Sequence, residues 1–297
     1  MTQERRRTND TDGIEAETTA SALDGDDLVL EYSSSERPVI DGATIAAEPG
    51  AVTALVGPNG SGKSTLLKGL ANQLSPSSGS VLVDGKEIHQ METKTLARKL
   101  GLLSQESSSP SGITVEQLVF HGRYPHRGFF ESVTEEDQQH VKRAMALAGC
   151  EHLRDREVGS LSGGQKQLAW IAMVLAQETD VLLLDEPTTF LDLHHQLEVM
   201  EIIETLRAES EVTVVVVLHD IQQAARIADH IVALKDGSVR ARGPPEAVIT
   251  EQLLAEVFEI EANVEATENG PRVEPLRPRH DNRDGDESTG QQIEAGQ

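Results

Sequence analysis

The sequence predicts an α/β fold, a mostly parallel sheet with helices packed on its faces, and three observations carry the prediction. VLLLDEP at 181–187 and TVVVVLHD at 213–220 are short continuous apolar runs, the pattern of strands covered on both sides. Each leads into helical periodicity, in HHQLEVMEIIETLRAE at 194–209 and IQQAARIADHIVAL at 221–234. A glycine-rich loop, GPNGSGKST at 57–65, stands between strand-like VTALV and helix-like LLKGLANQL.

Taken in order, residues 1–26 are polar and acidic and predict a disordered tail. VTALV, the loop and its helix follow, then SGSVLVDG at 78–85 as a hairpin-like segment. From about 106 to 160 the composition changes. A Ser/Pro-rich opening, ESSSPSG, precedes ITVEQLVFHGRYPHRGFF and the helical EEDQQHVKRAMALAGC, which predicts an inserted helical subdomain reaching about 178 with the helix behind LSGGQ. Residues 266–297 return to polar, acidic composition and predict a second disordered tail, which leaves 27–265 as the folded unit.

Composition narrows the function. At 297 residues, with 37% hydrophobic and 26% charged content, the chain can bury a sizeable core. Its longest apolar runs, such as VTVVVVL at 212–218, are strand-length, whereas a bilayer span needs about 20 residues. MTQERRRTND has arginines with no apolar stretch behind them, so no secretory or twin-arginine signal is expected and the chain is expected in the cytoplasm. Fifty acidic residues against 26 basic ones, a net charge of -24, oppose nucleic acid as a partner. So large an excess, with 8 lysines against 18 arginines, also suggests a salt-rich, halophilic cytosol. The lone Cys150, among apolar neighbours, reads as a buried structural thiol.

The glycine loop carries the first chemistry. Gly57, Pro58, Asn59, Gly60, Ser61, Gly62, Lys63, Ser64 and Thr65 make a phosphate cradle: backbone N–H groups and a helix start face the anion, Lys63 reaches the terminal phosphates, and Ser64 holds Mg2+. At the end of VLLLDEP, two carboxylates invite a division of labour. Asp185 anchors Mg2+, directly or through water, while Glu186 orients and deprotonates a water for in-line attack.

Together, GPNGSGKST, LSGGQ at 161–165, LLLDEP, Leu191-Asp192 and a later strand ending in His219 resemble the ATP-binding cassette ATPases over roughly residues 27–265. The resemblance implies a P-loop NTPase core with an N-terminal antiparallel β part and the inserted helical subdomain. It implies that Tyr32 stacks on adenine, that Gln105 senses Mg2+, water and the transporter, that His219 contacts the γ-phosphate, and that Asp192 lies in a loop crossing to the partner subunit.

LSGGQ is a second cradle: Ser162, Gly163 and Gly164, followed by Gln165, offer a hydroxyl and N–H groups at a helix start. In the family the two cradles of one chain lie on opposite sides, so two copies pack head to tail and each ATP sits between one P-loop and the other chain's LSGGQ. His194 and His195 are adjacent, face different sides of a helix, and make no metal pair.

HGRYPHRGFF, QKQLAWIAMVLAQ and TTFLDLHHQLEV are similar to the importers of iron-siderophore, haem and vitamin B12, and GRYPH with TTFLDL-x-HQLEV to the ferric-siderophore ATPases in particular. That kinship implies an ATPase at the cytoplasmic face of a membrane with two permease subunits and, indirectly, an extracytoplasmic substrate-binding protein. Arg123, Tyr124, Pro125 and His126 would lie near the permease. Lys166 and Leu168 stand where family members commonly have arginines, and His195 where they usually have alanine. Cobalamin or haem import and an exporter ATPase remain alternatives. A DNA-repair cassette needs a long insertion between P-loop and LSGGQ that is absent here, and translation-associated cassette proteins carry two cassettes per chain.

Overall fold

The computed structural model describes residues 21–105, 112–128 and 131–279. The chain opens with β1 (Leu23–Leu30), β2 (Ile40–Ala47) and β3 (Val52–Val56), then α1 (Lys63–Leu70), β4 (Ser78–Val83) and β5 (Lys86–Glu87). Next come α2 (Thr93–Lys99), β6 (Leu100–Leu103), α3 (Val115–His121), α4 (Glu135–Leu147) and α5 (Gly163–Leu175). After these stand β7 (Val181–Asp185), α6 (Leu193–Glu209), β8 (Thr213–Val217), α7 (Ile221–Ile227), β9 (His230–Lys235) and β10 (Ser238–Gly243). The described chain closes with α8 (Pro245–Val248), α9 (Glu251–Val257), β11 (Ile260–Thr267) and β12 (Gly270–Pro278).

Six strands form the central sheet in the order β10-β9-β3-β8-β7-β6, with every pairing parallel except that of β9 with β10. All residues of β3, β7 and β8 are buried. Their alternation divides the core in two. Val52, Ala54, Leu182, Leu184, Val214 and Val216 face the side of the helical subdomain, whereas Leu55, Val181, Leu183, Val215 and Val217 share a core with α1 and a four-stranded antiparallel sheet ordered β2-β1-β4-β5. Two-sided burial is why these strands read as unbroken apolar runs.

The helical subdomain is set by its caps. Thr114 and Thr134 each close a capping box, with Gln117 and Asp137, so α3 and α4 begin where their threonines stand. Cys150 is fully buried in the core they share with α5, and burial pushes its thiol up to about 11, which fits an inert structural role. Trp170 packs partly buried on the same core.

Three expectations need correction. The helical periodicity expected through 221–234 stops at Ile227, and HIVALK is strand β9, because Ile231, Val232, Ala233 and Leu234 are buried on both faces between β3 and β10. The expected N-terminal tail overlaps β1, which starts at Leu23 and pairs with both β2 and β4. The expected C-terminal tail overlaps β12, which pairs with β11 across its length and buries Pro271 and Val273. The remainder of both tails, and ESSSPS at 106–111, lie outside the described residues.

Candidate functional site

Four consecutive strands of the parallel sheet, β3, β8, β7 and β6, deliver the candidate residues from their carboxyl ends, where ligands bind in open α/β sheets. The glycine loop follows β3, His219 follows β8, Asp185 and Glu186 end β7, and Gln105 follows β6. They meet in a cleft of about 710 Å3 lined by Asn59, Gly60, Gly62, Lys63, Ser64, Thr65, Gln105, Glu186 and His219.

The loop backbone accepts only glycine at its tightest points. Gly57 lies at φ 151, and a Cβ there would meet the Leu234 carbonyl at 2.2 Å. Gly62 caps α1 at φ 100, and a Cβ there would meet Ile40 Cδ1 at 2.6 Å. Lys63 curls back over the loop and donates to the carbonyls of Gly57 and Pro58, each at 2.9 Å. An ammonium has three protons, so one remains for a phosphate oxygen. Beneath the loop, Ser61 Oγ is buried with no hydrogen-bond partner among the described residues, an orphan that fits an incoming acceptor. Tyr32, after β1, sets its hydroxyl 3.4 Å from Thr65 Oγ1, which brings its ring to the rim of the cradle.

Ser64 Oγ donates to Asp185 Oδ1 at 2.8 Å. Asp185 is 3% exposed, and burial raises its carboxyl pKa against the opposing pull of the Ser64 bond. Burial likewise lowers the Lys63 ammonium, while the charges of Glu186 and Asp185 oppose that shift. Ser64, Asp185 and the Gln105 amide oxygen are hard oxygen donors of the kind Mg2+ takes, so these residues fit such an ion. Among the described residues no group of three or more His, Cys, Asp or Glu could hold a metal by itself.

Glu186 is the convergence point. Gln105 Nε2 donates to its Oε2 at 2.6 Å, Thr189 Oγ1 donates to the same oxygen at 3.2 Å, and His219 Nε2 lies 2.6 Å from Oε1. Glu186 and Phe190 both adopt positive φ, 52° and 63°, in one turn closed by the Thr189 amide on the Glu186 carbonyl. A bulky residue held there costs on the order of 1–3 kcal/mol, and such strain gathers at functional sites.

The remaining candidates form a second group, away from the cleft lining. Ser162 caps α5 in a capping box with Gln165, whose amide donates to Ser162 Oγ at 3.3 Å and whose Oε1 accepts from the Ser162 amide at 3.3 Å. Gly163 has open space where a Cβ would stand, but a Cβ on Gly164 would strike the His195 ring at 2.3 Å. His195 Nδ1 in turn contacts Asp192 Oδ1 at 2.9 Å, and Asp192 caps α6. LSGGQ and the Asp192 loop are thus packed together through one imidazole. His194 meets that imidazole edge-on at 5.5 Å, so the histidines do not converge on a common point.

Sequence reasoning missed Thr189, Phe190 and His195. Thr189 sits three residues after Glu186, the spacing of a side chain that returns to a turn's first residue, whereas the role of His195 depends on α5 and has no local signal. Phe190 is 95% exposed although it lines the cleft.

GRYPH divides. Arg123 is 4% exposed and bonds Asp137 Oδ1 at 3.2 Å, the Ala176 carbonyl at 2.9 Å and Glu178 Oε2 at 3.2 Å, so it pins the helical subdomain internally and is withdrawn from any docking surface. His126 Nε2 contacts the Gln177 carbonyl at 2.6 Å and the Pro125 carbonyl accepts from Arg98 at 2.8 Å. Tyr124 alone stands out, 56% exposed and stacked on His121.

Comparisons with known proteins agree with this geometry. A family model described as ABC transporter matches residues 40–189. The chain is similar to the ferric enterobactin transport ATP-binding protein FepC of Escherichia coli, 43% identical over 256 residues, which are 86% of this chain and 94% of FepC. It is also similar to the achromobactin transport ATP-binding protein CbrD of Dickeya dadantii, 43% identical over 244 residues, 82% of this chain and 90% of CbrD. Among solved structures, a metal-chelate type ABC transporter in an inward-facing conformation matches with TM-score 0.74 and 29% identity over 87% of this chain and 98% of the other. The dimeric structure of MJ0796, an ABC transporter cassette, matches with TM-score 0.67 and 27% identity over 75% of this chain and 98% of the other.

Proposed function

The chain belongs to the ABC transporter family as an ATP-binding subunit with ATPase activity, and from that premise we propose that it powers the import of ferric siderophores. Two copies pack head to tail, each with its P-loop facing the other's LSGGQ, and each ATP is held between them. One observation carries this reading: Ser162, Gly163, Gly164 and Asp192, packed together through His195, are not among the residues lining the cleft that holds the glycine loop, Glu186 and His219.

In the shared site, the loop from Gly57 to Thr65 and the Lys63 ammonium hold the phosphates, Tyr32 lies against the base, and Ser162, Gly163, Gly164 and Gln165 of the second copy close over the γ-phosphate. Ser64, Asp185 and Gln105 would hold Mg2+, which supplies charge neutralisation at the phosphates. Glu186 orients the attacking water and takes its proton, and His219 holds Glu186 and meets the γ-phosphate.

Among the described residues no helix is long and apolar enough to cross a membrane. On the kinship with transport ATP-binding proteins, the chain works with two permease subunits at the inner face of a membrane, and through them with an extracytoplasmic substrate-binding protein. Exposed Tyr124 supports docking on the helical subdomain. Siderophore cargo is favoured by the transport functions named for FepC and CbrD. The acidic excess suits a salt-rich cytosol.

Uptake of labelled ferric siderophore, with labelled cobalamin and haem in parallel, by cells carrying wild-type or Lys63→Ala protein tests the proposal. Loss of iron uptake alone is expected. Loss of cobalamin or haem uptake alone moves the cargo, and no loss of any contradicts import.

A further inference from the structure

One set of polar side chains has no part in the chemistry described so far. The Thr188 hydroxyl donates to Gln223 Oε1 at 3.0 Å, Gln223 Nε2 donates to Gln196 Oε1 at 3.1 Å, and Gln196 Nε2 donates to the Leu191 carbonyl at 3.0 Å. Each glutamine accepts with its oxygen and donates with its nitrogen, so the chain has one polarity from end to end, and bonds in series polarise one another. Thr188 is buried and both glutamines are half-buried, where an amide stripped of its partner is costly.

The chain ties together three places. Thr188 and Leu191 belong to the turn that starts at strained Glu186 and ends at Asp192. Gln196 stands in the first turn of α6, beside His195, which packs on Gly164. Gln223 stands in the first turn of α7, directly behind His219, and Asp220 caps that helix by accepting from the amides of Gln222 and Gln223. Thr189, inside the tied turn, is the residue that donates to Glu186.

We propose that Gln223 is a positioning residue for ATP hydrolysis: it locks the 186–192 turn to the helix behind His219, so that Glu186 and the Asp192 end of the same turn are placed as one unit. Gln223 acts through Thr188 and Gln196 and does not line the cleft. The inference rests on Glu186 as the catalytic base and on the Asp192 turn as the part offered to the second copy. Cutting the chain leaves the phosphate cradle as it was and lets Glu186 drift from its productive place, and misplacement of about 1 Å is enough to lower turnover up to about a hundredfold.

The test uses the full chain with Gln223→Leu, Gln196→Leu, the double variant and Glu186→Gln, each measured for kcat, KM for ATP and melting temperature. Gln223→Glu keeps an acceptor for Thr188 but cannot donate to Gln196, and it serves if the leucine variant does not fold. The expected result is a loss of about ten- to a hundredfold in kcat with KM within about twofold. The double variant should be no worse than either single change, because the chain is already broken once. Unchanged kcat, a raised KM at unchanged kcat, or an additive double loss would overturn the role of Gln223 alone. Wild-type turnover in Glu186→Gln would overturn the reading beneath it as well.

Discussion

His219 Nε2 stands 2.6 Å from Glu186 Oε1, joining the ends of β8 and β7 beside the phosphate loop. The pair fixes the orientation of the Glu186 carboxylate, as the general-base role proposed for it requires. Glu186→Gln is expected to keep ATP binding and to lower kcat by about 10²–10⁴, the usual yield of general-base catalysis. His219→Ala should lower kcat as well, and the double variant should lose less than the product of the single losses, since the two groups act as a unit. Steady-state ATPase assays with equilibrium binding of a fluorescent ATP analogue check both.

Arg123 is expected to matter for folding and Tyr124 for docking. Arg123→Ala takes from buried Asp137 its nearer guanidinium and leaves it Arg127 at 3.9 Å and the Thr134 bonds, so the loss is at most about 3–5 kcal/mol, the cost of breaking a buried pair from one side. Burial pushes the Asp137 carboxyl up, but the Thr134 bonds and Arg123 together hold it below its ordinary value, so the pair's stability is present above pH 3.8 and is lost as the pH falls through the lowered value. Urea unfolding of Arg123→Ala should show the loss at pH 7, and Tyr124→Ala should unfold like wild type while binding the permease less well.

Gly164→Ala tests the contact between LSGGQ and the Asp192 turn. The new methyl would strike the His195 ring at 2.3 Å, so the imidazole must leave Asp192 or the α5 start must shift. Overpacking of this kind costs about 1–3 kcal/mol. If the His195 ring is what the methyl meets, Gly164→Ala/His195→Ala recovers most of the lost stability in thermal unfolding; no recovery would assign the strain elsewhere.

Asp185 is expected to trade stability for function. Burial raises its pKa, so its contribution to stability is present below the unfolded value of 3.8 and is lost as pH rises through the higher folded value; at neutral pH the buried charge works against the fold. Asp185→Asn should therefore melt at or above the wild-type temperature without nucleotide at pH 7, yet gain less from added Mg-ATP. A lower melting temperature for the variant without nucleotide contradicts this assignment.

A net charge of -24 predicts self-repulsion that salt relieves. Melting temperature should rise as KCl is increased from about 0.1 M to about 1 M, where the screening length falls from about 10 Å to about 3 Å. A flat or falling response would remove the support for a salt-rich working environment.

Legibility in the sequence followed locality. The glycine loop was readable because its backbone demands at Gly57 and Gly62 allow little else, and β7 and β8 because two-sided burial leaves no polar interruption. β9 was hidden because Asp229 and His230 sit between α7 and four apolar residues, which continues a helical pattern without a visible break. β12 was hidden because Pro271, Pro275 and Pro278 and a mostly exposed surface look like tail composition, although Pro271 and Val273 anchor it. Arg123 was misread for a different reason: its partners Asp137, Ala176 and Glu178 are remote in sequence, and an arginine's burial cannot be seen without them. The same holds for His195 against Gly164 and for the bonds of Gln223.

Sedimentation velocity of Glu186→Gln with and without ATP tests the central claim, that two copies share each nucleotide, most directly. A monomer without ATP, a dimer with it, and a return to monomer when Ser162→Arg is added are predicted. A variant that binds ATP and stays monomeric would contradict the shared site.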